Sequence, residues 1–407
     1  ENFGFVAIQD GKMYTDIFVQ KNKIGEAKNG DKVIVEMEEW PEKADSPFGR
    51  IIQVLGKPGE HDTEIHSILA QYGLPHEFPK EVEDFAQGID TSIQEEEIKN
   101  RRDMRDVLTF TIDPKDAKDF DDALSFRELE NGNFEVGIHI ADVSHYVKPG
   151  TILDEEAFNR ATSVYLVDRV VPMLPEILSN GLCSLNPNVD RLVMVADMKI
   201  SSSGDVYAYQ FYPGVINSKF RLTYTIVDQL IFKEIPNKEY PKELVKKLLT
   251  LKEVYQTLSK QRTQRHAIEF DRIESQIIFD ESGKIKNVVP LVRNEAHRLI
   301  EECMLAANVA TARFLDKHDL PALYEDPIER AGAQTGRQQG DPVDQRVQAD
   351  VLEGLVGAVA DRAEPVDGRG VLAGVVAVAG PARAGPLEVE VQAAADGSDA
   401  LPEQPVA

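Results

Sequence analysis

The chain has 407 residues, of which 70 are acidic and 45 basic, and its formal net charge is −25 at pH 7. This length predicts two to four domains with ample hydrophobic core. Only two cysteines are present, and the longest apolar run, residues 371–380, is too short to span a bilayer. These features exclude a disulfide-stapled secreted domain and give no membrane span, so we expect a cytoplasmic protein in a reducing compartment. Because residue 1 is Glu and lies within a strand-like pattern, we also expect sequence upstream of it.

Residues 1–56 alternate in a β manner, with glycine-containing turns between short apolar runs. This pattern predicts a small β-barrel of the OB-fold, cold-shock-like type. Phe3 and Phe5 share one strand face and Phe18 falls beside them, which would form a platform for stacking nucleic-acid bases. The alternative is that aromatic residues two apart on a strand are ordinary core.

Residues 57–106 form a predicted linker, and from residue 64 onward the apolar spacing is helical. Arg101, Arg102 and Arg105 follow an acidic helix start. They could contact phosphate groups, or they could belong to a solvated helix end.

An acidic motif follows at residues 111–124. Within ten positions it carries five aspartates, Asp113, Asp116, Asp119, Asp121 and Asp122, with only Lys115 and Lys118 nearby as cations. Carboxylates this close raise one another's pKa unless a cation is bound, and oxygen ligands suit Mg²⁺ or Mn²⁺. An EF-hand is rejected because Leu124 stands where that loop needs glycine. A solvated acidic turn is the remaining alternative.

The local geometry of this motif can also be predicted. If residues 119–121 continue the extended run that begins at residue 108, Asp119 and Asp121 share a face while Phe120 points into the core. Strands at 192–200 and 206–215, and long amphipathic helices at 241–265 and 293–317, predict a mixed α/β domain over residues 107–324. The apolar, irregular stretch 178–187 is of a kind that often lines a site.

Several ordered motifs together resemble the ribonuclease II (RNB) family. They are Asp113-x5-Asp119-Phe-Asp-Asp122, Ile140-Ala-Asp-Val-Ser-His145, Ser163-Val-Tyr165, Pro172-Met-Leu-Pro175, Leu178-Ser-Asn-Gly-Leu-Cys-Ser-Leu185 and Asn294-Glu-Ala-His-Arg-Leu-Ile-Glu-Glu-Cys-Met304. The Gly4-Phe-Val6 and Asp16-Ile-Phe-Val19 pair likewise resembles the RNA-binding signatures of cold-shock domains.

The resemblance implies a hydrolytic 3′→5′ exoribonuclease that degrades single-stranded or structured RNA to nucleoside 5′-monophosphates. It implies binding of a single-stranded RNA 3′ end, use of Mg²⁺ or Mn²⁺, and action as a monomer. It implies that Asp113, Asp119 and Asp122 are metal ligands and that loss of Asp121 is the most damaging. Tyr165 matches a catalytic-site tyrosine placed against the terminal nucleotide. Tyr224 matches a tyrosine that packs on the RNA strand; the alternative for Tyr224 is a core tyrosine on a strand.

The sequence departs from the family after about residue 324. Residues 325–407 form an Ala-, Gly- and Val-rich stretch that we interpret as a low-complexity tail outside the family pattern, joined near Tyr324. The family's phosphate-gripping arginine and a later catalytic-site glutamate have no counterpart here. We therefore expect an incomplete and poorly active catalytic domain. The alternatives are a non-catalytic RNA-binding fragment of the same fold and a hydrolase of another phosphate ester.

Overall fold

The structure of the chain is a computed structural model that describes residues 3–8, 15–264, 275–280, 285–291, 293–318 and 320. The predicted tail at 325–407 and its junction near Tyr324 lie outside the described residues. In the part of the chain that is described, no helix is long and apolar enough to cross a membrane.

The N-terminal residues form the predicted β-rich unit. Its strands are β1 (Phe3–Val6), β2 (Ile17–Gln20), β3 (Lys32–Glu39) and β4 (Phe48–Gly56), with a single 3₁₀ turn at Lys21–Lys23. They join in one sheet of order β1-β2-β4-β3. Ile17 and Val19 are buried while Phe18 points to the other face, as strand alternation requires. Phe5 lies directly opposite Phe18 in the β1–β2 register.

The linker contains three helices: α1 (His61–Gln71), α2 (Lys80–Gln87) and α3 (Glu95–Lys99). The helical prediction is wrong at the end of this segment, because Arg102–Asp103 is a short strand, β5. It pairs in parallel with Gly214 and Val215, more than a hundred positions later in the chain. A two-residue strand of this kind depends on its distant partner rather than on local propensity.

The larger unit is built on a central sheet. Its further strands are β6 (Thr109–Asp113), β7 (Asp122–Glu128), β8 (Phe134–Ala141), β11 (Asp190–Ile200), β12 (Val206–Asn217) and β13 (Phe220–Thr223), and the strand order is β13-β6-β7-β8-β11-β12-β5. Two small antiparallel hairpins accompany it, β9 (Val164–Tyr165) with β10 (Val170–Val171) and β14 (Ser275–Phe279) with β15 (Ile285–Pro290). The helices are α4 (Val143–Tyr146), α5 (Ile152–Arg160), α6 (Tyr224–Val227), α7 (Lys242–Gln264) and α8 (Glu295–Lys317), with π-helical turns at Ile177–Leu182 and Asp228–Phe232.

Hydrophobic cores lie on both faces of the central sheet. On one face, alternate strand residues such as Leu124 and Ile138 pack with α7 and α8. The predicted apolar stripe of α7 is confirmed, since Leu244, Leu248, Leu251, Val254, Tyr255 and Leu258 are all buried. On the other face, Val193 and Val195 pack with α5 and the π-helical turn. The sheet is therefore held rigidly from both sides.

The acidic motif lies where this sheet reverses direction. β6 ends at Asp113, residues 114–121 form a loop, and β7 returns antiparallel from Asp122. The prediction that residues 119–121 continue the strand is therefore wrong, because the chain turns back so that β7 can pair with both β6 and β8. The prediction for Phe120 is confirmed, since its side chain is buried in the core.

Candidate active site: an acidic loop between two central strands

Three aspartates of the motif influence one another electrostatically. Asp113 is only 8% exposed at the end of β6, and Asp122 begins β7 opposite Ile140 of β8. Asp121 precedes it, and its backbone carbonyl accepts a hydrogen bond of 3.0 Å from Ala141 N–H. The sheet thus fixes the backbone on the C-terminal side of Asp121.

The aspartates are held in an environment that disfavours their charged forms. Burial, followed by the negative charge of Asp122, raises the pKa of Asp113, and burial raises the pKa of Asp122. Burial, followed by the charges of Asp119 and Asp122, raises the pKa of Asp121 to about 7. Asp113 Oδ2 is buried and accepts no hydrogen bond. Such a group is stabilised by a bound cation.

The candidate donor atoms of the site are of the kind that a divalent metal ion prefers, although they are not grouped around one point. Every candidate donor is a carboxylate oxygen, the ligand that Mg²⁺ and Mn²⁺ prefer, and the orphaned Asp113 oxygen lacks a partner. Among the residues that the structure describes, however, no three acidic, His or Cys side chains are grouped so that they could hold one ion. The trio Asp113, Asp119 and Asp122 therefore stays a prediction as a ligand set.

Tyr165 and Asp119 are brought together. The Tyr165 hydroxyl, on the short strand β9, donates a long hydrogen bond of 3.5 Å to Asp119 Oδ2. Burial, followed by the charges of Asp119 and Asp121, raises the pKa of Tyr165 to about 12. The hydroxyl therefore remains protonated at neutral pH and can act as a donor. With 45% of its surface exposed, Tyr165 is also accessible from solvent.

Tyr224 lies on the other side of the acidic group. It is the first residue of α6, next to Thr223, which is paired with Asp113 across β13 and β6. The alternative prediction, a core tyrosine on a strand, is therefore wrong about the strand, because Tyr224 lies in a helix. It is right that the side chain is buried. Burial, followed by the charges of Asp122 and Asp113, raises the pKa of Tyr224. Its ring stacks on His297, with centroids 3.9 Å apart and an interplanar angle of 14°.

The loop backbone is held by the irregular stretch that the sequence suggests as a site wall. Ser184 Oγ accepts a 3.0 Å hydrogen bond from Phe120 N–H and donates one of 2.9 Å to the Lys118 carbonyl. Leu185 N–H donates to the Phe120 carbonyl at 2.8 Å, and Arg191 Nε donates to the Ser184 carbonyl at 2.8 Å. These bonds fix the loop on its core side. Sequence reasoning assigned Ser184 no role, because a buried serine gives no local signal.

Arg221 of β13 fixes the opposite, outer side of the loop. Its Nη2 donates to the carbonyls of Lys115 at 2.5 Å and Ala117 at 3.3 Å. Its guanidinium carbon lies 5.0 Å from the centroid of the Phe120 ring. Arg221 therefore also holds the backbone that carries the aspartates.

Two of the arginines after α3 form ion pairs within the chain, and contact with phosphate stays a prediction. Arg101 Nη2 lies 2.6 Å from Asp142 Oδ2, and both side chains are buried. Arg105 pairs with Asp103 at 2.6 Å and with Asp190 at 3.1 Å. They attach the linker to the central sheet through Asp142 and Asp190, which lie too far along the chain for sequence spacing to reveal.

The predicted aromatic platform forms in the N-terminal sheet. The ring centroids of Phe3, Phe5 and Phe18 lie 5.6–5.9 Å apart. Phe3 and Phe5 are 49% and 55% exposed, so the platform faces solvent. Phe48 extends it, with its ring 5.0 Å from that of Phe18. Sequence reasoning missed Phe48 because β4 joins β2 only through a parallel pairing across the sheet.

A β-rich unit with a solvent-facing aromatic platform, followed by a mixed α/β unit with clustered aspartates, is an architecture suited to nucleic-acid chemistry. Residues 5–79 match a family model for the cold shock domain, and residues 101–335 match a model for the RNB domain. The second match covers more than half of the chain, which therefore belongs to the RNB family. The predicted fold class, a cold-shock-like domain followed by an RNB-type α/β domain, is confirmed.

Among its relatives are ribonucleases R. The chain is 41% identical over 322 residues to ribonuclease R of Vibrio cholerae, covering 79% of this chain and 39% of that protein. It is 41% identical over 321 residues to ribonuclease R of Escherichia coli, covering 79% of this chain and 40% of that protein. The chain thus spans about two fifths of the length of these curated relatives.

Solved structures show the same fold. RNase R of Mycoplasma genitalium, solved in complex with ribose-methylated single-stranded RNA, matches with a TM-score of 0.72 and 27% identity, over 79% of this chain and 52% of that one. Yeast Ssd1, described as a pseudonuclease, matches with a TM-score of 0.57 and 19% identity, over 79% of this chain and 41% of that one. Since the fold also occurs in a pseudonuclease, catalysis has to be argued from the site itself.

Proposed function

We propose that this chain carries the catalytic site of a 3′→5′ exoribonuclease that hydrolyses phosphodiester bonds at the 3′ end of single-stranded RNA. The observation that carries the proposal is the acidic loop. Its aspartates, of which Asp113 is buried and Asp121 and Asp122 are partly exposed, have raised pKa values, and Asp113 carries an orphaned oxygen; they lie beside Tyr165 and Tyr224. The charge of Arg221 acts on Asp113, but it is a smaller effect than burial and the charge of Asp122, and the pKa of Asp113 stays raised.

The proposed metal is Mg²⁺ or Mn²⁺, held by Asp113, Asp119 and Asp122. These three carboxylates would hold the ion, which would supply Lewis-acid chemistry for activating a water and for stabilising charge on the leaving 3′-oxygen. The Asp121 carboxylate, between the proposed ligands Asp119 and Asp122 in the chain, accepts the proton that the water loses. The Tyr165 hydroxyl, protonated at neutral pH, donates a hydrogen bond at the terminal nucleotide.

RNA binding is proposed to start at the aromatic platform of Phe3, Phe5 and Phe18, on which unpaired bases stack. The complex of the Mycoplasma genitalium relative with single-stranded RNA supports this substrate class. We further propose that Tyr224 packs against the bound strand from its place beside Asp113 and Asp122. The chain is proposed to act as a monomer in the cytoplasm, where the free and buried Cys183 and Cys303 stay reduced.

We propose that the 407-residue polypeptide by itself is only weakly active. Its sequence offers no counterpart of the arginine with which the family grips phosphate. Loss of one such phosphate or transition-state contact commonly lowers the rate by about 100- to 1000-fold. The second candidate, an RNA-binding fragment that does not cut, is favoured by the exposed aromatic platform, which can bind bases without any chemistry.

The test is degradation of a 5′-labelled single-stranded RNA by this chain, with Mg²⁺ and with EDTA, beside a DNA of the same sequence. We expect slow, Mg²⁺-dependent shortening of the RNA from its 3′ end, lost in Asp121→Asn and retained in Asp116→Asn, whose carboxylate is exposed in the same loop. Binding without any cleavage would support the second candidate. Equal cleavage of DNA, or cleavage that survives Asp121→Asn, would contradict the proposal.

A further inference from the structure

The hairpin that carries Tyr165 is attached at its turn to the first linker helix. Leu166 N–H donates to the Arg169 carbonyl at 2.8 Å, which closes the turn between β9 and β10. Arg169 Nη2 lies 2.5 Å from Asp62 Oδ1 of α1 and 2.7 Å from Asp168 Oδ2. His61 Nε2, also on α1, lies 2.8 Å from the same Asp168 oxygen. Four side chains thus join two elements that are more than a hundred positions apart.

Helix α1 is in turn attached to the N-terminal sheet. Lys32 of β3 pairs with Glu64 of α1 at 2.5 Å. Thr63, buried in the helix, donates from Oγ1 to the Leu55 carbonyl of β4 at 3.3 Å. The sheet that bears the aromatic platform is therefore linked through α1 to the turn beside Tyr165.

The contact between the hairpin turn and α1 differs from an ordinary surface ion pair. Such a pair contributes little to folding stability, because ordering two long side chains in water costs entropy. Arg169 is shared between two carboxylates and Asp168 between two partners, so each group is ordered by more than one bond. The His61 ring also packs against Phe279, with centroids 6.0 Å apart. Arg169, followed by the His61 contact, lowers the pKa of Asp168, which keeps this carboxylate charged.

We propose that Asp62, His61, Asp168 and Arg169 form a latch that positions Tyr165 for the 3′-terminal nucleotide and couples the platform-bearing sheet to the active site. The proposal rests on the proposed function for the role of Tyr165. The four latch residues act through the hairpin and are positioning residues. Because β9 and β10 contain only two residues each, the hairpin has little pairing of its own, and the latch supplies the second attachment.

The first test is independent of activity. Hydrogen exchange of the peptide 161–173, followed by mass spectrometry on the full chain, should increase by about fivefold or more in Arg169→Gln and in Asp62→Asn. Asp62 is a suitable position to mutate, because its side chain is 75% exposed and its replacement leaves the hydrophobic core intact. The matched control is Arg127→Gln, which removes an exposed ion pair with Glu135 elsewhere on the sheet. Unchanged exchange in both latch variants would overturn the latch.

The second test is a double-mutant cycle on RNA binding in EDTA, measured by fluorescence anisotropy with a 5′-fluorescein single-stranded RNA. We expect Arg169→Gln and Tyr165→Ala each to weaken binding by about three- to tenfold, and the double variant to bind no worse than Tyr165→Ala alone. Arg169→Lys, which keeps the charge near Asp62, should recover most of the loss. Additive losses would show that Arg169 does not act through Tyr165, and would overturn the coupling.

The two failures are distinguishable. If the wild-type chain binds no RNA, the proposed function fails, and hydrogen exchange alone then decides whether the latch holds the hairpin. If the wild-type chain binds RNA and Tyr165→Ala weakens it while Arg169→Gln does not, the function stands and the positioning role of the latch is refuted.

Discussion

The substitution Asp121→Asn should make the metal-free protein more stable at alkaline pH while removing the proposed activity. A carboxyl group whose folded pKa lies above its unfolded value of 3.8 favours the folded state only while it is protonated. Its destabilising contribution therefore grows as the pH rises from about 4 and is complete above about 7. Asparagine has nearly the same shape and carries no charge, so it removes this contribution.

The size of the effect follows from the pKa. One pKa unit corresponds to about 1.4 kcal/mol, so the rise from 3.8 to about 7 sets an upper bound of about 4 kcal/mol at pH 8. Asp121 is partly exposed, and its neighbour Asp122, whose pKa is also raised, can take up a proton in its place. We therefore expect the variant to be more stable by about 1–3 kcal/mol at pH 8 and by less than about 1 kcal/mol near pH 4.5.

The assay is urea unfolding in EDTA at both pH values, with Asp116→Asn as the control for loss of an exposed carboxylate from the same loop. Adding Mg²⁺ at pH 8 should stabilise the wild-type chain more than the variant and so reduce the difference. A variant that is less stable than wild type at pH 8, or a difference that does not depend on pH, would refute the electrostatic account of the site.

Three further predictions concern other parts of the chain. Phe5→Ala should weaken binding of single-stranded RNA by about 1–3 kcal/mol through loss of one stacked base, measured by anisotropy. The control Phe158→Ala removes a ring on α5 that is 66% exposed, against 55% for Phe5, and should have no effect. Ser184→Ala leaves the buried Phe120 N–H without an acceptor, so it should lower the free energy of unfolding by about 1–3 kcal/mol and slow RNA cleavage. Gly137→Ala would place a Cβ 2.8 Å from Asp197 Oδ1 and in collision with the Ser125 hydroxyl; urea unfolding should show a loss of about 1–3 kcal/mol, with RNA affinity unchanged. Wild-type stability of either variant would contradict the packing that is described here for that residue.

The long, periodic elements could be predicted from the sequence because their signal is local. The apolar stripe on α7 consists of residues three and four positions apart. Phe3, Phe5 and Phe18 lie on adjacent strands of a β-rich segment. The aspartate cluster is likewise visible because its members are close in sequence. The family and the fold class are confirmed, whereas the domain boundaries and the roles of the individual site residues stay predictions.

What could not be predicted depends on partners that are distant in the chain. β5 forms a strand because it pairs with Gly214, and Arg101 is buried because it forms an ion pair with Asp142. The acidic loop is held in its conformation by hydrogen bonds to Ser184 and Arg221. None of these pairs has a fixed spacing from which it could be inferred. The mistaken extension of β6 through residue 121 has the same origin, because the turn is favoured by pairing of β7 with β8 rather than by its own residues.

The position of β6 in the sheet also bears on how the chain is made. Its outer neighbour, β13, follows more than a hundred residues later, so β6 has an open edge while the ribosome synthesises the intervening segment. An open apolar edge invites pairing with other nascent chains, and charged residues at an edge oppose it. Asp113 stands at the end of β6, and the loop behind it carries further carboxylates. These carboxylates destabilise the folded protein when they are buried. During synthesis, however, they would repel neighbouring nascent chains on the same polysome until β13 has been made and pairs with β6.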